Sequence, residues 1–282
     1  MKQIAARLAV PPMGLVLFSI GSVQIGSALA KSLFQQVGPT GMVLLRVGLA
    51  AVILFVIWRP RWQGLVRTHL WLLVAFGLSL ALMNWSFYEA ISRIPIGIGV
   101  ALEFLGPLGV AIANSRRWVD GLWVLLAAAG ILLLAPFQGV EVDPLGVALA
   151  LLAGGFWAAY ILLSARTGRA IAGIDGLAWA MAIATVVLLP VGILGEGAAL
   201  LQPQALTLGL GVALLSSVIP YSFELVALRS LPVKTFGVLL SLEPVAAAIA
   251  GWLILGETLS LRAIVAILLV SLAAAGAACF RA

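Results

Sequence analysis

The sequence predicts an all-α membrane protein of ten transmembrane helices, arranged as two inverted-topology five-helix repeats with both termini in the cytoplasm. Three observations carry that expectation. The chain has 282 residues, 63% hydrophobic and 9% charged, with a mean hydropathy of +1.21. No soluble domain of this length hides so much apolar side chain. Cutting at charges, prolines and glycine clusters leaves ten apolar segments of about 20 residues, enough to cross a hydrocarbon core of about 30 Å. One set of landmarks also occurs twice along the chain.

The segments fall near 12–31, 40–58, 70–91, 95–114, 119–136, 145–164, 172–194, 205–228, 235–255 and 261–280. The first has Lys2 and Arg7 ahead of it and "ALA" (Ala28 to Ala30) within it, the pattern of a signal peptide. The nine apolar segments that follow favour an uncleaved first helix. Lysine and arginine set the orientation. With the amino terminus inside, the cytoplasmic segments hold twelve of them: Lys2, Arg7, Arg59, Arg61, Arg67, Arg116, Arg117, Arg166, Arg169, Arg229, Lys234 and Arg281. The outer segments hold only Lys31, Arg93 and Arg262. The net charge of +6 is therefore topological and does not point to nucleic acid. Trp58, Trp62, Trp71, Trp118 and Trp252 fall near segment ends, as an interfacial belt would. The single cysteine, Cys279, rules out an intrachain disulfide.

The repeat is legible in "RIPIGIGVALEFLGP" and "SLPVKTFGVLLSLEP". Pro95 and Pro107 recur as Pro232 and Pro244 at one constant offset, which also carries Asp120 onto Glu257 and Asn84 onto Tyr221. "GPTG" (Gly38 to Gly41) is echoed by "GIDG" (Gly173 to Gly176) at nearly the same offset. The two copies are read as residues 12–136 and 145–280. Five is odd, so the copies enter the membrane from opposite sides. Inverted repeats of this kind characterise secondary transporters, whose substrate site lies near the midplane between the halves.

Polar residues inside the segments name the candidate site. Glu103 lies about 12 Å below the outer face of segment four and Arg46 about 9 Å into segment two. Gln24 and Asn84, with Tyr88 one turn beyond Asn84, fall at a similar level in segments one and three. A charge at mid-bilayer costs roughly 2.5–3.5 kcal/mol on insertion scales and is functional by default. A Glu103–Arg46 pair lining a wet cavity would lower that cost. Inverting the repeat predicts a mating layer near the inner face, made of Trp157, Tyr160, Tyr221 and Glu224. A small zwitterion could use both layers, with an acid for its ammonium, Arg46 for its carboxylate and aromatics to close around it. Taken singly, each aromatic is at least as well explained by helix packing. Burial disfavours the charged form of an acid, so Glu103, Glu224 and Glu243 are candidate proton carriers, Glu103 foremost. A helix-capping role for Glu243 weighs nearly as much.

Prolines add free backbone acceptors, because a helical proline supplies no N–H to the carbonyl four residues back. Pro107, Pro244 and Pro220 thereby free the carbonyls of Glu103, Leu240 and Ser216. Simple bending of helices for packing is the competing explanation. Glu89, with Arg93 four residues on, reads as a structural helical pair. Asp120, Glu141, Asp143, Asp175, Glu196 and Glu257 read as loop or helix-end acids.

Absences narrow the chemistry. The chain holds no G-x-x-x-x-G-K-[ST] phosphate loop, HExxH or GxSxG motif, and no cysteine–histidine cluster. The one histidine, His69, falls in a loop. No enzyme activity, metal or cofactor is expected. A channel, receptor or scaffold is the alternative class.

"SLEPVAAAIAGWLILGETLS" (Ser241 to Ser260) resembles the signature of the second repeat in the EamA branch of the drug/metabolite transporter superfamily. The stretches "QIGSALAKSLF" from Gln24, "GVALEFLGPL" from Gly99, "SRRWVD" from Ser115, "FWAAYIL" from Phe156, "PYSFELVAL" from Pro220 and "TFGVLLSLEP" from Thr235 are more similar still to bacterial threonine/homoserine exporters. In the first repeat "WVD", ending at Asp120, replaces the "GE" of Gly256 and Glu257, so no role carries over to Asp120. The resemblance implies export of small amino acids across the bacterial inner membrane, driven by the proton gradient. Similar exporters handle aromatic amino acids or drugs, a reading that Trp157, Tyr160 and Tyr221 keep open.

Overall fold

The computed structural model describes residues 11–60, 68–113, 120–134, 143–171, 175–227, 230–231 and 233–279. Lys2, Arg7, Arg61, Trp62, Arg67, Arg116, Arg117, Trp118, Glu141, Gly173, Arg229, Pro232 and Arg281 lie outside the described residues. Among the described residues the regular elements are helices, with no strand. In chain order they are α1 (Pro12–Ser32), the short α2 (Phe34–Val37), α3 (Pro39–Trp58), α4 (Leu70–Ile91), α5 (Ile96–Glu103), α6 (Leu105–Ala113) and α7 (Asp120–Leu134). Then follow α8 (Pro144–Ala170), α9 (Asp175–Glu196), a 3-10 turn (Gly197–Leu201) and α10 (Pro203–Ala213). A π turn (Leu214–Val218), α11 (Ile219–Ala227), α12 (Val233–Leu240), α13 (Glu243–Leu255) and α14 (Leu261–Cys279) complete the chain. Seven stretches are long and apolar enough to cross a membrane, and three shorter apolar helices cover Ile96–Val110, Gly121–Leu133 and Leu261–Gly276.

Proline and aspartate place the helix starts. Pro12, Pro39, Pro144 and Pro203 occupy the first turn of α1, α3, α8 and α10, where a missing N–H costs nothing. The Asp143 carboxylate accepts from Leu145 N at 2.9 Å and caps α8. Gly256 ends α13 with φ +66°, a left-handed conformation that glycine adopts without strain. Helix α8 runs beyond its predicted end through Arg166 and Arg169, which therefore sit on a helical extension instead of a loop.

Two apolar segments are broken at matching places. α5 gives way to α6 at Phe104, three residues before Pro107, and α12 gives way to α13 at Ser241–Leu242, just before Pro244. Proline withholds a hydrogen bond from the preceding turn, which is the local cause of both breaks.

The exterior is apolar, with Leu194, Leu261, Val56 and Leu125 among its most exposed side chains. The interior holds Ser19, Ser22, Gln24, Ser27, Arg46, Asn84, Glu103 and Glu243. This is the distribution that a lipid solvent selects, since polar groups are cheapest against one another. Helices of the first half pack largely on helices of the second. α4 lies against α8 and α9, α3 against α9 and α10, and α1 against α11, α13 and the π turn. α5 lies against α13 and α8, α6 against α8, and α7 against α14. Backbones approach closely at the α6–α8 crossing, where a Cβ on Gly106 would clash with the Gly154 carbonyl oxygen.

A buried polar cluster as the candidate binding site

Arg46 is the centre of the cluster. It projects from mid-α3, where its neighbours in sequence are apolar, and is 7% exposed. Its Nε donates to Ser217 Oγ at 3.1 Å, Nη1 to Tyr88 OH at 3.3 Å and Nη2 to the Ser216 carbonyl at 2.9 Å. The guanidinium carbon lies 5.4 Å from the centroid of the Tyr88 ring, within cation–π range. Tyr88 itself is fully buried and fixed by Phe34 and Phe87. It stands beside the guanidinium as a support.

The expected direct pair between Glu103 and Arg46 is not formed. Among the described residues no ion pair within 4 Å joins them, because the guanidinium is turned toward the π turn. The two remain within electrostatic reach. Glu103 sits at the last turn of α5, 9% exposed, where its main chain meets α8: a Cβ on Gly154 would stand 2.7 Å from the Glu103 carbonyl oxygen. That is the carbonyl that Pro107 leaves without a helical donor. The following residue, Phe104, packs edge-on against Trp157, with ring centroids 5.3 Å apart.

The second-half residues form the other side. Tyr221 is in electrostatic reach of Arg46, Glu224, Glu103 and Glu243, and Tyr160 is in reach of Tyr221 and Glu224. The Tyr160 ring rests on Phe76 at 5.2 Å. Glu224 accepts a hydrogen bond from Ser19 Oγ at 2.7 Å, which ties α11 to α1. Glu243 opens α13, where an acid complements the helix dipole, and interacts with Glu224 and Glu103. Three carboxyls, one guanidinium and three phenols (Tyr88, Tyr160 and Tyr221) thus share one region.

The remaining candidates are less connected. Asn84 Nδ2 donates back to the Leu80 carbonyl within α4, at 2.9 Å. Gln24 is 2% exposed and its Oε1 has no hydrogen-bond partner, as is also true of Ser216 Oγ. Sequence reasoning missed Ser19 and the side chain of Ser217. The available signal was a pair of serines three and four residues before Pro220 in an otherwise apolar run.

A separate polar rim joins the ends of α1, α5 and α13. Lys31 Nζ pairs with Glu257 Oε1 at 2.6 Å and donates to the Ile94 carbonyl at 2.7 Å. Glu257 Oε2 accepts from Ile96 N at 2.9 Å, capping α5. Glu257, in the loop after α13 as expected, is thereby also an inter-helix clasp. Glu89 is corrected: it accepts from Thr40 Oγ1 at 2.8 Å, while Arg93 reaches Asp143 at 3.5 Å. Tertiary neighbours on α3 and α8 outcompete the helical Glu89–Arg93 spacing. Two apolar grooves of about 430 and 450 Å³ lie elsewhere, one along Gly106, Gly109 and Gly155, the other along Trp252 and Leu268. No group of three or more metal-ligating side chains occurs among the described residues.

Comparison with known proteins agrees with the membrane architecture. Residues 144–278 match the model of the EamA-like transporter family. The chain is 45% identical over 251 residues to proteins named threonine/homoserine exporter RhtA from Salmonella typhimurium strain LT2 and Escherichia coli strain K12. The match covers 88% of this chain and 85% of each relative. A protein of known crystal structure, 18% identical, shares the fold with a TM-score of 0.61 over 93% of this chain and 95% of its own. These relatives are transporters and not enzymes, and the apolar helices make this a multi-pass membrane protein. The chain belongs to the EamA-like transporter family.

Proposed function

We propose that this chain is a secondary active exporter of small neutral amino acids, threonine and homoserine first, across the bacterial inner membrane. It works by alternating access with proton antiport. The observation that carries the reading is 45% identity over 88% of the chain to proteins named threonine/homoserine exporters. The cluster supports it chemically. A zwitterion needs a cation for its carboxylate and an anion for its ammonium, and one guanidinium stands here among three carboxyls. In this reading Arg46 receives the carboxylate, Glu103 and Glu224 receive the ammonium, and Glu103 and Glu243 carry protons. Gln24, Asn84, Trp157, Tyr160 and Tyr221 line the path, and Tyr88 supports Arg46.

The same reading has ten spans in two inverted repeats, 12–136 and 145–280, with both termini cytoplasmic. The packing pattern supports it. Exchanging each first-half helix with its second-half counterpart turns the α1–α11 contact into α8–α4, and α3–α10 into α9–α4. The α1–α13 contact likewise becomes α8–α6, and the α3–α9 and α7–α14 contacts map onto themselves. The broken segments at Pro107 and Pro244 exchange as well. A two-fold axis in the membrane plane is the simplest operation with that property.

Inside-out vesicles test the function. Under an imposed proton gradient, vesicles containing the protein should take up labelled threonine and homoserine above vesicles lacking it. Equal uptake would overturn the exporter reading and favour a receptor or scaffold. Competition by aromatic amino acids alone would move the substrate class instead.

A further inference from the structure

The guanidinium of Arg46 is buried, yet among the described residues no carboxylate lies within 4 Å of it. A buried cation without a contacting counter-ion is costly. What holds it is neutral: the Ser217 hydroxyl, the Ser216 carbonyl and the Tyr88 phenol. Both serines belong to the π turn Leu214–Val218, an irregularity frequent at functional sites. Pro220 cannot supply an N–H to the Ser216 carbonyl, and the Arg46 Nη2 takes that acceptor instead. The turn is held from behind by α1, where Ser22 Oγ donates to the Leu215 carbonyl at 2.7 Å. Gly26 packs so closely on the turn that a Cβ added there would clash with Ser216 Oγ.

Guanidinium carries five N–H donors, one on Nε and two on each terminal nitrogen. Three are engaged, one on each nitrogen. One N–H therefore remains on Nη1 and one on Nη2, the number that the two oxygens of a carboxylate accept.

We propose that the π turn is a guanidinium dock, in which Ser217 and the Ser216 carbonyl orient Arg46 so that its two remaining N–H groups receive the substrate carboxylate. The proposal rests on the exporter reading and adds a positioning residue, Ser217, that contacts no substrate itself. It also assigns a consequence to the fold. Arg46 lies in the first half and its dock in the second, so any movement between the halves re-aims the guanidinium.

The test is a cycle of variants measured as threonine uptake into inside-out vesicles, with abundance in the membrane measured alongside. Ser217→Ala should raise the apparent KM for threonine about 5- to 10-fold, with the maximal rate within about twofold. Ser217→Thr, which keeps the hydroxyl, should restore the KM. In an Arg46→Lys background, where the fork is absent, Ser217→Ala should add nothing further. Should the alanine variant fail to reach the membrane, Ser217→Gly provides the same comparison. An unchanged KM in Ser217→Ala or Ser217→Gly, or a full multiplicative effect in the lysine background, would overturn the dock while leaving the exporter reading intact. Absence of uptake by the unsubstituted protein would overturn the exporter reading and the carboxylate role of Arg46 with it.

Discussion

The two halves of the chain share their landmarks but not their surroundings. In the three long first-half helices α1, α3 and α4, 56–61% of the span is buried. In the long spans of the second half the share is 22–39%. Most of the candidate residues follow suit: Gln24, Arg46, Asn84 and Glu103 are buried and Trp157, Tyr160, Tyr221 and Glu224 half-buried, while Glu243 and the two serines that hold Arg46 are buried residues of the second half. Arg46 has three hydrogen-bonding partners and Glu224 has one, Ser19. The two halves thus adopt unequal environments within one structure. The lesson is that helix length and proline position fix where a polar residue sits along its helix, while the packing between the halves decides which of those residues are buried.

The largest expected effect lies in the sealed layer. Glu103→Gln should abolish or uncouple threonine export, a loss on the order of 100-fold, with normal abundance in the membrane. Glu224→Gln, in the more open layer, should lose about 10-fold or less. Vesicle uptake with and without a proton gradient measures both, and equal losses would erase the distinction between the layers.

The next comparison concerns the seam on which the sealed layer rests. Gly154→Ala would place a Cβ 2.7 Å from the Glu103 carbonyl oxygen, whereas Gly155 has open space around its Cβ position. The Gly154 variant should lose about 2–3 kcal/mol of stability, and the Gly155 variant should change little. Thermal unfolding in detergent reads the difference, and a tolerated Gly154→Ala would mean that the α6–α8 crossing can part without cost.

The smallest effects belong to the polar rim. Glu257→Gln breaks a clasp whose side chains are 14–19% exposed and should cost about 1–2 kcal/mol, since it weakens both an ion pair and a helix cap. Arg93→Ala removes a pair that is 35–40% exposed, for which about 0.5 kcal/mol or less is expected. Unfolding midpoints rank the two. The reverse order would show that exposure does not govern this rim.

Much of the fold was legible in the chain because the relevant properties are local. Apolar run length marks each helix, and a proline within the first turn opens α1, α3, α8 and α10 where it was expected. Pro107 and Pro244 announced the broken segments, and Pro220 announced the free Ser216 carbonyl that Arg46 now occupies. The depth of a residue also follows from sequence, at 1.5 Å per position. By that measure Glu103 and Arg46 fell in an outer layer and Tyr221 and Glu224 in an inner one. The packed helices bring Glu103, Arg46 and Glu224, with Glu243, within electrostatic reach of Tyr221.

The partners were not legible. A helix turns about 100° with every residue, so a side chain's direction depends on how its helix is rotated against neighbours more than a hundred residues away. The sequence offered Arg46 to Glu103 on shared depth and Glu89 to Arg93 on helical spacing. The tertiary structure gave Arg46 to the π turn and Glu89 to Thr40. It also joined Lys31 to Glu257 across the whole chain. Composition and proline therefore determined that the chain is a membrane bundle and where its helices start and break. Which polar groups touch, and which half is sealed, was decided only when the helices packed, because contact depends on rotation and register between distant segments.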